Sequence, residues 1–156
     1  MSRRSINVAL HTEDVVRILE FPEQLFNAQW YKGLSALAPL CVKGIQVPSL
    51  SVVLVSDKRI RELNKQYRGL NRVTDVLSFA YIERGALESG EIYLCVAQAL
   101  RQRVRFRTTK TQEVARLFFH GMLHIFNYDH DTPGKRKEMR ALEDCLMKSA
   151  HAQHLW

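Results

Sequence analysis

Apolar residues recur along the chain with two different periods, and the switches between them mark the elements. Residues 6–12 alternate loosely, as an edge strand does. Over residues 22–40, Leu25, Phe26, Trp30, Leu34 and Leu37 stand at helical spacing, which predicts a first helix. Residues 47–55 are rich in β-branched side chains and read as a strand. Ser56 and Asp57 then supply an N-cap, and Ile60, Leu63, Asn64 and Tyr67 continue at helical spacing. Residues 76–82 and 91–96 read as two further strands, with Gly85 and Gly90 in their connection. Residues 97–107 read as a helix with an odd polar half. The alternation of Arg101, Arg103, Arg105 and Arg107 is unlike one helical face, which predicts a frayed end or an extended loop there. Thr109 and Gln112 make a capping-box pattern ahead of an apolar helix that runs through Phe126. Thr132 and Pro133 open a last helix to about Lys148. The order β-α-β-α-β-β-α-α-α predicts an α/β (α+β) fold: a small mixed sheet of about four strands, packed with five or so helices.

No internal repeat, low-complexity tract or Pro/Gly/Ser linker divides the sequence, so residues 1–156 are expected to form a single domain. Hydrophobic residues are 46% and charged residues 25% of the chain, which excludes disordered, collagen-like and coiled-coil classes. No apolar run approaches the length of a membrane span. Residues 1–7 carry Arg3 and Arg4 without the apolar stretch of a signal peptide. A cytoplasmic protein without a membrane anchor is expected. Cys41, Cys95 and Cys145 stand far apart, and an odd count fits neither a disulfide framework nor a cysteine zinc site. Reduced thiols in the cytosol are the expectation, with Cys95 a small buried hydrophobe. Charge adds one further fact: 23 Lys and Arg against 16 Asp and Glu give a formal +7, which favours a polyanionic partner.

The chemistry concentrates in His120-Gly-Met-Leu-His124-Ile-Phe-Asn-Tyr-Asp-His130. His120 and His124 are one turn apart on one helical face, a common way to hand two imidazoles to a metal ion. His130 lies beyond the expected helix end, and Asn127, tolerant of left-handed backbone, is where the chain can reverse. Leu117, Phe118, Phe119, Met122, Leu123, Ile125 and Phe126 make the helix almost wholly apolar. Imidazoles buried there need strong partners, and a metal supplies them. Three imidazoles plus an open position is the pattern of catalytic zinc rather than structural zinc. The spacing equals that of the metzincin peptidases, H-E-x-x-H-x-x-G-x-x-H. Gly121, however, stands where those enzymes carry their glutamate base, so the metal geometry is kept and the peptidase chemistry is not.

Zinc lowers the pKa of bound water to about 7, so a carboxylate base is dispensable. A substrate then needs a charge clamp. Arg68, in Leu63-Asn-Lys-Gln-Tyr-Arg68-Gly69, is the candidate, since a guanidinium holds phosphate bidentately. An arginine of this kind is also commonly just solvated. Three basic runs, Lys58 to Arg72, Arg101 to Lys110 and Lys135 to Arg140, favour a phosphodiester substrate when taken with a metal site. Asp129 and Asp131 are candidate partners for imidazole N–H groups. Thr74 and Asp75 are candidates for the cleft floor, with turn and cap chemistry as their plainer role.

The histidine segment resembles the signature H-G-x-L-H-L-x-G-Y-D-H of the YbeY family. The resemblance extends to Leu63-Asn64-x-x-Tyr67-Arg68, to Thr74-Asp75-Val76-Leu77-Ser78-Phe79, to Gly90-Glu91-Ile92-Tyr93-Leu94-Cys95 and to Glu113, roughly residues 50–143. Asn127 replaces the usual glycine, and Val73 and Ala80 stand where prolines are usual; none of these is a ligand. The resemblance implies that His120, His124 and His130 bind a zinc-like ion, one Zn2+ or other transition ion per chain, and that Arg68 is the functional arginine of the cleft. It implies a single-strand-specific metallo-endoribonuclease acting on ribosomal RNA, in 16S 3′-end maturation and ribosome quality control, with the small ribosomal subunit as partner. Two other readings stay open: a zinc hydrolase of peptide or amide bonds, against which Gly121 argues, and a non-catalytic ribosome-binding factor stapled by metal.

Overall fold

The central strands bury side chains on both of their faces. In β2 (Ser49–Val55), Leu50, Val52 and Leu54 enter one core while Val53 and Val55 enter another. A sheet apolar on both faces must be covered on both. The structure, a computed structural model, describes residues 7–13, 21–46 and 49–156. Three strands run parallel: β1 (Asn7–Thr12), β2 and β4 (Ala86–Cys95). β3 (Val76–Glu83) pairs antiparallel with β4, giving the order β1-β2-β4-β3. The expected strand starts at Ile6 and Val47, and the reading of residues 1–6, lie outside the described residues.

On one face, α3 (Asp57–Arg68) packs Ile60 and Leu63 against Val55, Leu77 and Cys95. On the other lies α5 (Lys110–Ile125), in a larger core shared with α1 (Ala28–Ser35), α2 (Ala38–Cys41), α4 (Val96–Phe106) and α6 (Pro133–Ala152). Phe118 and Phe119 of α5 are fully buried, which contributes about 1.5–3 kcal/mol each. Two glycines let α5 sit this close to the sheet. A Cβ on Gly90 of β4 would fall 2.5 Å from Ile125 Cδ1. One on Gly121 would fall 3.0 Å from Ile92 Cγ2 and 3.2 Å from Val76 Cγ2.

The mixed four-stranded sheet and its helical covers agree with the expected class, and four details differ. The helix expected over 22–40 is three pieces: a 3-10 turn (Glu23–Phe26), α1 and α2. Asn27 breaks it, with extended backbone and a side chain that caps α1 by accepting from the Gln29 N–H. Gly90 lies inside β4, not in the connection. The hairpin turns on Arg84 and Gly85 alone, both at positive φ, the two-residue turn that matches strand twist. Its tip is solvent-exposed, so the hydrophobic pattern fades before the pairing does. The arginine-rich stretch is a continuous helix to Phe106, closed by Arg107 in left-handed conformation, with Thr108 N–H on the Arg103 carbonyl. Val96 and Ala99 anchor α4 to the core while Val104 and Phe106 point outward, so the period-2 pattern there is no sign of extension.

The cysteines depart most. Cys41 of α2 and Cys145 of α6 form a disulfide across a sequence separation of 104 residues. The reading of three unpaired thiols is therefore corrected: pairing at that distance leaves no spacing signature. Cys95 is free and buried as expected. Its thiol donates to Asp57 Oδ1 at 3.1 Å, and burial pushes its pKa up to about 12.

Candidate active site

α5 is buried nearly all round. Beyond Thr111, only Gln112, Arg116, His120 and His124 are less than buried, one per turn. The helix ends where Asn127 adopts φ 69°. The Tyr128 N–H donates to the Leu123 carbonyl at 3.0 Å and the Asn127 N–H to the His124 carbonyl at 2.9 Å, a complete Schellman motif. The chain reverses there, as the sequence predicts. Asp129 Oδ1 accepts the His130 main-chain N–H at 2.7 Å and fixes the returning loop. Thr132 then caps α6 by accepting the Lys135 N–H.

The reversal brings three imidazoles together. Ring centroids are 4.6 Å apart for His120 and His124, 5.2 Å for His124 and His130, and 5.5 Å for His120 and His130. One donor nitrogen from each lies within 4.8 Å of the others, and the two Nε2 atoms of His120 and His124 are 3.1 Å apart. Nitrogens bound tetrahedrally at about 2.0–2.1 Å from one ion stand about 3.4 Å apart, so small ring rotations close this set on a cation. Burial first, then His120 and His130, hold the His124 pKa below the usual imidazole range, favouring the neutral, ligating form. Imidazole donors suit transition ions rather than magnesium or calcium.

The partner of His120 comes from another element. Its Nδ1–H donates to Glu143 Oε1 of α6, which leaves Nε2 facing the cleft. This is the carboxylate–histidine arrangement that fixes tautomer and ring orientation in metal sites. Asp129 and Asp131, candidates for such a role from the sequence although loop carboxylates beside basic residues are more often solvated, do not fill it. Asp129 instead serves the loop backbone, and Asp131 pairs with Lys135 at 3.1 Å. A signal for Glu143 existed: it is a carboxylate on the α6 face that buries Met139, Leu146 and Ala150.

Arg68 is the last residue of α3, just before Gly69 at φ 69°. Buried Asn64 holds the following loop by donating its Nδ2–H to the Arg72 carbonyl at 2.9 Å. Arg68 is exposed and has no ion pair among the described residues. It lines one cleft of about 160 Å³ with His120, His124, His130, Thr74, Asp75, Val76 and Ser78. Asp75 does both of the jobs weighed for it. It borders the cleft, and its Oδ1 accepts the Val76 N–H at 2.8 Å.

Next to the histidines on α5, fully buried Glu113 grips Arg116 through two bonds, Nη2–Oε1 at 2.6 Å and Nε–Oε2 at 3.2 Å. Burial disfavours the Arg116 charge, but Glu113 outweighs it, with Glu143 and Asp75 adding to the effect. Not every basic residue is available to a ligand: Arg101 is held bidentately by Asp57, and Arg59 lies near Glu13 and Glu62.

Gly121 faces the sheet with no room for a glutamate side chain, so the base of a peptidase has no place here. Three imidazoles and an unpaired guanidinium around one open cleft instead suit a small hydrolase of anionic esters. Comparison with known proteins narrows that class. The family described as "Endoribonuclease YbeY" matches residues 20–151. A protein of that name from Heliobacterium modesticaldum is 34% identical over 145 residues, covering 81% of this chain and 87% of its own. Another, from Thermodesulfovibrio yellowstonii, is 37% identical over 117 residues, covering 72% and 74%. The chain belongs to the YbeY endoribonuclease family. The solution structure of a Thermotoga maritima protein shares the fold, with a TM-score of 0.57 over 95% of this chain and 94% of that one at 24% identity.

Proposed function

We propose that this protein is a metal-dependent endoribonuclease that cuts single-stranded RNA during 16S ribosomal RNA 3′-end maturation and ribosome quality control. Residues 1–156 act as one domain in the cytoplasm, with the small ribosomal subunit as partner. The observation that carries this reading is that His120, His124, His130 and Arg68 share one cleft. The names of the relatives, the +7 charge and the want of any helix among the described residues long and apolar enough to cross a membrane all support it. Neither member of the Cys41–Cys145 pair borders the cleft, so the site does not depend on a reducing or oxidising compartment through direct contact.

His120, His124 and His130 would hold one divalent ion, zinc by preference. When bound, that ion supplies a Lewis acid for a phosphate oxygen and a lowered pKa for water. The chain's own residues do the rest. Arg68 binds the scissile phosphate through two parallel N–H donors and stabilises the charge that grows on it. Glu143 accepts the His120 Nδ1–H and keeps that ring aimed. Thr74 and Ser78 offer hydroxyls to the substrate backbone, and Val76 gives the cleft an apolar wall. Asp75 holds the turn that forms the cleft edge by accepting the Val76 N–H.

The test is cleavage of a single-stranded RNA and of a peptide by purified protein, with and without chelator. RNA alone should be cut, and chelation should stop it. Arg68→Ala should lower the rate about 10²–10³-fold, as loss of one preorganised donor does. Unchanged cleavage by Arg68→Ala removes its assigned role. A protein that melts on chelation yet turns nothing over is a binding factor, not an enzyme.

A further inference from the structure

Phe106 ends α4 with 50% of its surface exposed. A single exposed phenylalanine needs no explanation, but this one has a setting. The guanidinium carbon of Arg116 lies 5.1 Å from its ring centroid and that of Arg105 5.8 Å. Val104, 75% exposed, sits on the same helix end. No acidic residue occurs between Glu91 and Glu113, while Arg103, Arg105 and Arg107 all lie there. Arg116 is not a loose surface side chain, because Glu113 grips it through two bonds. It precedes His120 by one turn, about 6 Å along the axis. It also feels the charges of Glu143 and Asp75 beside the cleft. Arg116 therefore shares the less-buried stripe of α5 with His120 and His124, and the Phe106 ring at the end of α4 lies against it.

We propose that Phe106, with Arg105 and Arg116, is a stacking subsite for an unpaired base of the RNA strand whose phosphate lies at the histidines. The proposal rests on the endoribonuclease reading above. Arg116 and Arg105 lie over the ring, so a base stacks on the part of Phe106 left exposed and on the guanidinium planes; any base can do this by its π-surface, so the subsite carries little sequence preference. A base paired inside a duplex cannot present that surface, so the subsite selects single strands. Arg103, Arg105 and Arg107, with no acidic residue among them in the sequence, favour a polyanion over a protein partner.

The experiment compares wild type, Phe106→Ala and Phe106→Tyr on a single-stranded RNA 12-mer and on a dinucleotide that spans only the scissile phosphate. Phe106→Ala should raise KM for the 12-mer about 5- to 150-fold, the effect of losing one base–aromatic stack, with kcat unchanged. Dinucleotide kinetics should not move, and Phe106→Tyr should restore the 12-mer KM. With an abasic nucleotide placed at each flanking position in turn, one position should mimic Phe106→Ala and add nothing to it. Circular dichroism melting checks that the variants fold. An unchanged 12-mer KM in Phe106→Ala overturns the subsite, while wild-type cleavage leaves the endoribonuclease reading standing. If wild type cuts no RNA, that underlying reading falls, and the subsite with it.

Discussion

Replacing Glu143 by glutamine removes a charge and keeps a shape, which separates two effects on His120. Glu143 is 15% exposed and accepts the Nδ1–H of an imidazole that is itself 24% exposed. A glutamine oxygen can still accept that proton, so ring orientation persists. What is lost is the negative charge that makes the opposite nitrogen, Nε2, a stronger donor to a cation. Loss of such a partner typically costs about 10–100-fold in metal affinity, or about 1.4–2.8 kcal/mol at about 1.4 kcal/mol per tenfold. Glu143→Ala removes orientation as well and strands a partly buried N–H, adding about 1–3 kcal/mol. Affinity should therefore fall in the order wild type, Glu143→Gln, Glu143→Ala, and the metal-free melting temperature should drop most for the alanine. Competition against a chromophoric chelator near neutral pH measures the affinities. Asp144→Asn, which removes an exposed charge from the same helix, is the control and should change little. Wild-type affinity in Glu143→Gln would refute the claim that this carboxylate tunes His120.

Three other outcomes are expected. Gly90→Ala forces a Cβ to 2.5 Å from Ile125 Cδ1 and should cost about 1–3 kcal/mol in urea unfolding. In the double variant with Ile125→Ala the costs should fall short of additive, and simple additivity would dismiss the contact. Cys145→Ser opens a loop spanning 104 residues and should cost up to about 4–5 kcal/mol without reductant on the chain-entropy account. In excess reductant the variant and wild type should unfold alike; a gap that survives reduction would show that the bond is not the cause. The metal-free protein should lose stability as pH falls through 6.5, because His124 is held below that value by burial and its unfolded form takes the proton first. A flat profile from pH 7.5 down to 5.5, in a protein that keeps His124 in place, would contradict this.

What the sequence reveals of the site is what one local stretch encodes. His120 and His124 share a helix period, and Asn127 is a turn-former at the next position where a reversal helps, so the trio is legible without any tertiary information. Arg68 is legible for a similar reason, as the last residue before a left-handed glycine. Glu143 is harder to see, because it reaches His120 from another helix across 23 residues of chain, and only its place on the buried face of α6 marks it. Nearby Asp129 and Asp131 look better placed in sequence and are spent on loop backbone and Lys135. The disulfide fails to show for the same reason at greater range. In the fold, the expected elements hold wherever a buried face imposes a period. They slip where nothing is buried: the exposed hairpin tip before Gly90 hides the first half of β4, and the outward Val104 and Phe106 make α4 look broken.

Gly121 links the packing to the chemistry. α5 must lie close against β3 and β4 for its stripe of His120 and His124 to open into the same cleft as Thr74, Val76, Ser78 and Arg68. That closeness is possible only if the residue between the stripe and the sheet has no side chain, since even a Cβ there meets Ile92 at 3.0 Å. The position that would carry a carboxylate base in a peptidase is thus consumed by packing. An amide has a poor amine leaving group, and that carboxylate would carry the proton to it. A phosphodiester brings its own negative charge, which a carboxylate would repel and a cation attracts. A cleft that presents Arg68 beside three imidazoles able to hold a cation is therefore suited to phosphate by the same packing that excludes the peptide reaction.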